Sequence, residues 1–181
     1  MMDVAGGRVS PLLEASPDAE FHCASTKQVC AIAEPDAKRK EAVFSRFEIG
    51  REEKTEMARS PWSGTGELVW NLAADGSAIA LADIEDTGTA LRLISLPSGK
   101  RSEHDLKEIT VTGIASLHTG WLLTSSSLHG NEMLYLSAAG QLQQLWSSSS
   151  PLSAPVVSRD GRMVAFGLVS QESNAWLLEQ K

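Results

Sequence analysis

Pro155-Val156-Val157-Ser158-Arg159-Asp160-Gly161-Arg162-Met163-Val164-Ala165-Phe166 is the stretch on which the fold turns. An apolar run stops at Asp160-Gly161, and a second apolar run follows. Asp-Gly suits a tight hairpin, because glycine accepts positive φ at no steric cost and aspartate bonds to nearby backbone. The same grammar recurs in Trp70-Asn71-Leu72-Ala73-Ala74-Asp75-Gly76-Ser77-Ala78-Ile79-Ala80-Leu81. A degenerate copy runs from Ile114 through His118-Thr119-Gly120 into Trp121-Leu122-Leu123-Thr124-Ser125. The turn glycines Gly76, Gly120 and Gly161 lie 44 and 41 residues apart. That period matches a four-stranded propeller blade of roughly 40 to 45 residues.

The rest of the chain follows the same pattern. Ala78–Ala82, Leu91–Leu96 and Met163–Phe166 are short apolar or alternating runs bounded by Gly, Pro, Asp or Ser, which reads as strand. Thr89–Leu96 ends in a Pro97-Ser98-Gly99-Lys100 turn, and Asn174–Glu179 takes the corresponding place in the last unit. Glu132–Leu136, an Ala139-Gly140 turn and Gln141–Trp146 complete the degenerate copy. Toward the N-terminus, Ser16–Ala24 reads as a drifted Asp-Gly unit, and Val43–Ile49 with Gly50 as a later strand and turn. Met1–Gly7 resembles the tail of one more repeat. Arg51–Arg59, rich in Glu, lacks an apolar stripe and reads as strand edge or loop. The expected fold is all-β. It is a propeller or partial propeller of about four blades of four-stranded antiparallel sheet, with approximate units 1–60, 61–108, 109–150 and 151–181.

Composition bounds the function. The chain has 181 residues, 42% hydrophobic and 22% charged, with a net charge of −7. An acidic chain with scattered Lys and Arg lacks the basic face that neutralises phosphates, so neither nucleic acid nor an anionic membrane surface is an expected partner. No apolar run reaches the roughly 20 residues of a membrane helix. Met1–Gly7 shows no basic n-region leading into an apolar h-region, so no signal peptide is read there. The compartment stays open. It is extracytoplasmic if the segment belongs to a membrane-anchored parent, and cytoplasmic otherwise.

The Ser158–Phe166 segment, followed by Asn174-Ala175-Trp176-Leu177-Leu178, resembles the WD40-like repeat of TolB-type propellers, as does Trp70–Leu81. The order of the segments also resembles the C-terminal propeller of bacterial proteins in which a Ser/Thr kinase or winged-helix domain comes first. Neither of those domains is present in this sequence, so their activities are not carried over. The resemblance implies a binding or sensing module with a protein or peptide as partner; the expectation of no catalysis and no cofactor rests on the absence of a catalytic constellation in the sequence.

Candidate chemistry is sparse. If Thr26-Lys27 is the tip of a hairpin, Cys23 falls opposite Cys30. The pair then forms a disulfide in an oxidising compartment, or stays as two half-buried thiols in a reducing one. The histidines His22, His104, His118 and His129 show no metal-ligand spacing, and His118 and His129 fall at predicted turns. There is no Gly-x-Ser-x-Gly elbow. Ser125–Ser127 and Ser147–Ser150 read as loops between strands. Ser63-Gly64-Thr65-Gly66 lacks the Lys-Ser/Thr of a phosphate loop and reads as a blade connection. Asp83, Glu85 and Asp86 before Gly88 carry carboxylates that Ca²⁺ uses, but this is also ordinary hairpin-loop composition, and no metal is expected. Trp70, Trp121 and Trp176 read as blade-packing residues. Trp62 lies in a long connection: exposed, it suits a peptide-binding rim, and otherwise it covers the gap between blades.

The functional expectation is a non-enzymatic binding module, the sensor or scaffold part of a larger signalling protein. The alternative is the substrate-gating propeller of a serine peptidase of the prolyl-oligopeptidase kind. Open blade edges also predict self-association.

Overall fold

Each Asp-Gly unit forms a hairpin, and hairpins in series build the sheets. The structure, a computed structural model, describes residues 13–170 apart from 28, 37, 39, 49–52 and 63–67. The proposed strand at 174–179 with Trp176, the segment 1–7, the Ser63–Gly66 connection and part of the 51–59 stretch lie outside the described residues.

Blade 1 contains β1 (Glu20–Cys23), β2 (Cys30–Pro35), β3 (Glu41–Phe47) and β4 (Thr55–Pro61). Blade 2 contains β5 (Val69–Leu72), β6 (Ala78–Glu85), β7 (Gly88–Ser95) and β8 (Arg101–Lys107). Blade 3 contains β9 (Thr110–Leu117), β10 (Gly120–Ser127), β11 (Gly130–Ser137) and β12 (Leu142–Ser148). In all three the spatial order follows the chain and neighbours are antiparallel. Blade 4 shows two described strands, β13 (Val156–Val157) and β14 (Val164–Ala165), extended by a bridge between Leu152 and Leu168. The first strands touch one another in sequence, β1 on β5, β5 on β9 and β9 on β13. This is a partial β-propeller, with each blade's first strand innermost.

Alternation explains the stacking. In β6, Ile79 and Leu81 join the core shared with blade 1, where they meet Phe44 and Trp70. Ala80 and Ala82 of the same strand join the core shared with blade 3, which includes Leu91, Val111, Trp121 and Leu123. Blade 3 repeats the arrangement. Leu134 and Leu136 of β11 face blade 2, while Met133 packs with Leu152 and Val157 toward blade 4. A strand buried on both faces reads as a continuous apolar run, as Ala78–Ala82 does. The outermost strands differ. Leu106 is the one buried residue of β8, and β12 is exposed over most of its length. Because solvent takes the place of a neighbour there, polar sequences such as Arg101-Ser102-Glu103-His104-Asp105 persist as strand.

The turns depart from expectation in an orderly way. The tight two-residue turn belongs to the degenerate copy, where Leu117 pairs directly with Gly120. Both Asp-Gly units instead form wider loops, closed by Ala73 N–H to Ala78 O and Ser158 N–H to Met163 O, 2.8 and 2.9 Å. The aspartates shape these loops. Asp75 Oδ1 accepts from the Ser77 hydroxyl and N–H, and Asp160 Oδ1 accepts from the Ser158 hydroxyl and the Arg162 N–H. These bonds hold both carboxyls below the usual carboxylate range. Gly76 and Gly161 take the positive φ, 71° and 69°, that the loop requires. In blade 1 the equivalent loop is not at Pro17-Asp18, as the drifted unit suggested, because β1 begins after it. It lies between Ala24 and Val29, closed by Ala24 N–H to Val29 O at 2.8 Å.

Polar ties fasten the outer strands of blade 1 to blade 2. Arg92 donates to Asp83 at 2.7 Å and to Pro61 O at 3.0 Å, and meets Glu103 at 2.8 Å. Arg101 donates to Arg59 O at 2.7 Å. Asp83 is buried, so its charge needs this partner. The Asp83 carboxylate, one of the candidate Ca²⁺ ligands, therefore serves an ion pair. Replacing Arg92 with Met should lower unfolding stability by about 2–3 kcal/mol, the range for lost bonds to a charged group. Urea unfolding of the two proteins measures the difference.

Candidate functional site

The innermost strands enclose a cleft of about 300 Å³ that touches all four blades. Blade 1 contributes His22, Cys23 and Ser25. Asn71 and Ala74 come from blade 2, Ser116 and His118 from blade 3, and Val156 and Ser158 from blade 4. Among the described residues, each innermost strand pairs in its sheet with one neighbouring strand. Among the described residues, no Lys, Arg, Asp or Glu lines this cleft.

A row of loop contacts sets its shape. The Thr26 N–H and hydroxyl both donate to Ala74 O, at 3.0 and 2.8 Å. The Ala74 N–H donates to Ser116 Oγ at 2.7 Å, and Asn71 Nδ2 donates to Ile114 O at 2.8 Å. Blade 3 meets blade 4 at Gly161, where a Cβ would come within 2.6 Å of His118 Nδ1. Glycine is thus required there for φ and for the imidazole. The Ser116 and Ser158 hydroxyls are engaged by the loops themselves. What remains for a ligand is apolar surface, strand edges that no ladder uses, the Ser25 hydroxyl and the two imidazoles.

His22 packs edge-on against Trp70, with ring centroids 4.6 Å apart. Burial lowers its pKa below the ordinary 6.5. It is therefore neutral at pH 7, in keeping with a cleft without charge.

Cys23 and Cys30 are opposite one another in the β1–β2 ladder and are disulfide-bonded. Cys23 is part of the cleft wall. Trp62 is half-buried against the core between blades 1 and 2, and is not among the residues that line the cleft. His129 is exposed, and His104 approaches Gly140. Among the described residues no three His, Cys, Asp or Glu stand close enough to hold a metal ion. The cleft residues His22, Asn71, Ser116 and His118 were not singled out as a binding site by sequence. One signal was present: Asn71 is a lone polar residue inside Val69-Trp70-Asn71-Leu72.

The chain superimposes on solved propellers. A TolB-like protein from Agrobacterium tumefaciens matches with a TM-score of 0.63 at 15% identity, covering 81% of this chain and 52% of that one. The fold is of the TolB propeller type. TolB from Acinetobacter baumannii matches at TM-score 0.62 and 10% identity, over 85% of this chain and 38% of that one. Dipeptidyl peptidase 4 from Porphyromonas gingivalis matches at TM-score 0.56 and 9% identity, over 77% of this chain and 21% of that one. The chain thus spans about half, or less, of the length of the TolB structures it resembles. These structures lend no support to the likeness with propellers that follow kinase or winged-helix domains. No protein-family model matches the chain, and no curated protein matches it in sequence.

The lowered His22 pKa has a testable consequence. The folded state binds fewer protons at this site than the unfolded chain does. The stabilisation is therefore present above pH 6.5 and is lost as pH falls through the lowered folded value. Urea unfolding at pH 7.5 and 5.5 should show the wild type losing more stability on acidification than His22→Gln. Equal losses would contradict the assignment.

Proposed function

We propose that this chain is a non-catalytic propeller module that binds an extended, uncharged stretch of a protein or peptide across its innermost strands. The observation that carries this reading is the cleft that touches all four blades and that, among the described residues, is lined without a charged side chain. Open strand edges supply donors and acceptors to an added strand, and apolar surface between them accepts side chains. In a larger bacterial signalling protein such a module serves as sensor or scaffold. Among the described residues no helix is long and apolar enough to cross a membrane.

Matches to peptidase propellers favour a second reading, that of a substrate-gating propeller. The sequence flanking this one separates the two. A Gly-x-Ser-x-Gly hydrolase domain after it supports gating, and a signalling domain before it supports sensing.

Panning a random peptide display library against the full chain tests the binding reading. Val156 is 67% exposed in the cleft wall, so an arginine there charges the site without disturbing the core. Enriched peptides should be uncharged and should lose at least about tenfold in affinity, 1.4 kcal/mol, to Val156→Arg. Peptides that bind both proteins equally, or no enrichment at all, would sink the proposal.

The last blade carries a further consequence. Val156, Met163 and Leu168 are 67%, 69% and 56% exposed. Apolar side chains exposed on a blade without a described neighbour favour self-association. Light scattering should show a mass above 19.4 kDa that rises with concentration. A monomer at every concentration would count against it.

A further inference from the structure

We propose that the Cys23–Cys30 disulfide is a reducible latch that fixes the blade 1 wall of the cleft. The two sulfurs have different surroundings. Cys30 is 2% exposed and packs with Ile32 and Phe47. Cys23 is exposed and lines the cleft. A thiol in solution therefore reaches the bond at Cys23 Sγ.

Besides the disulfide, the ladder with β2, the Phe21–Phe47 ring contact and the His22–Trp70 contact hold β1. Its four residues pair along one edge with β2, and three of the four are exposed. Yet the loop that β1 carries is the part of blade 1 that meets the Asp75-Gly76 loop of blade 2. Thr26 makes two hydrogen bonds to Ala74 O, and Ala24 and Val29 approach Gly76. Before that loop, His22 rests on Trp70. The disulfide spans a sequence separation of seven within one hairpin, so it constrains this loop and not the chain at large. The main blade 1–blade 2 core, Phe44 against Trp70, involves neither sulfur.

The reaction needs a dithiol as reductant. One of its thiolates attacks Cys23 Sγ, the Cys23–Cys30 bond breaks, and Cys30 leaves as a thiolate that takes up a proton. The second thiol of the reductant then displaces Cys23. The products are two protein thiols and one oxidised dithiol. Cys30 stays in its apolar setting, while β1 loses its tie and the wall at His22, Cys23 and Ser25 loosens. The effect on ligand binding rests on the cleft being the binding site. The latch itself does not, and it is read without any ligand.

Hydrogen-exchange mass spectrometry on the full chain, oxidised and in dithiothreitol, is the test. No cysteine is free in the oxidised protein, and thiol titration should find both released by the reductant. Amides at 20–27, the Thr26 N–H that donates to Ala74 O among them, should then exchange about tenfold faster or more, because their local opening is easier. Amides of β10 and β11 should be unchanged, and so should the circular dichroism. The double variant Cys23→Ser, Cys30→Ala should exchange like the reduced wild type, with or without dithiothreitol. The proposal is overturned if reduction leaves 20–27 unchanged, if protection is lost along the whole chain, if no thiol is released, or if dithiothreitol still alters the double variant.

Discussion

Burial of both faces of the central strands is the constraint on which this molecule depends. Ile79 and Leu81 face one way from β6, Ala80 and Ala82 the other, and all four are buried. A sheet of this kind has no solvent side, so a blade holds its shape only between neighbours. Small residues on one face matter as much as large ones on the other. Ala31, Ala33 and Ala42 of blade 1 leave room for Trp70 and Leu72, and the blades interlock by size. At the ends of the array the rule is broken. Leu13 and Ala19 pack over the outer face of blade 1, against Cys30, Ile32 and Phe47. Blade 4 shows exposed valine and methionine instead.

The same stacking creates the cleft. Blades joined by apolar contact through their middle strands bring their innermost strands side by side, and the loops after those strands fall into a row. Hydrogen bonds from Thr26 to Ala74 and from Ala74 to Ser116 then join blade to blade. Each of these bonds pairs an Ala74 backbone group with a side-chain hydroxyl, of Thr26 on one side and of Ser116 on the other, so the cleft's form depends on side-chain identity as well as on blade spacing. Its character depends on side chains too. Among the described residues its lining holds no carboxylate or cation, and burial keeps the His22 imidazole neutral.

Where the chain departs from its own repeat, the departures fall at the cleft. Blade 1 replaces Asp-Gly with a cystine-tied loop of the same closure, and blade 3 replaces it with the short His118-Thr119 turn. Asp75 and Asp160 shape their loops through bonds to Ser77 and Ser158, a local device that needs no neighbour. The two irregular loops carry or adjoin the residues with the most chemistry, Cys23, His22 and His118.

The sequence by itself determined the all-β repeat, its period and the position of its central strands, because these rest on local turn chemistry and apolar runs. It also determined the register that sets Cys23 opposite Cys30, since a hairpin pairs residues close in the chain. It did not disclose β8, which apart from the buried Leu106 is largely exposed and needs no apolar pattern. Nor did it disclose the cleft. His22, Asn71, Ser116 and Ser158 are far apart in the chain and meet only because the blades stack. Sequence pattern records what a residue does to its near neighbours. Which innermost strands share a wall is decided by packing between sheets, and that belongs to the tertiary structure.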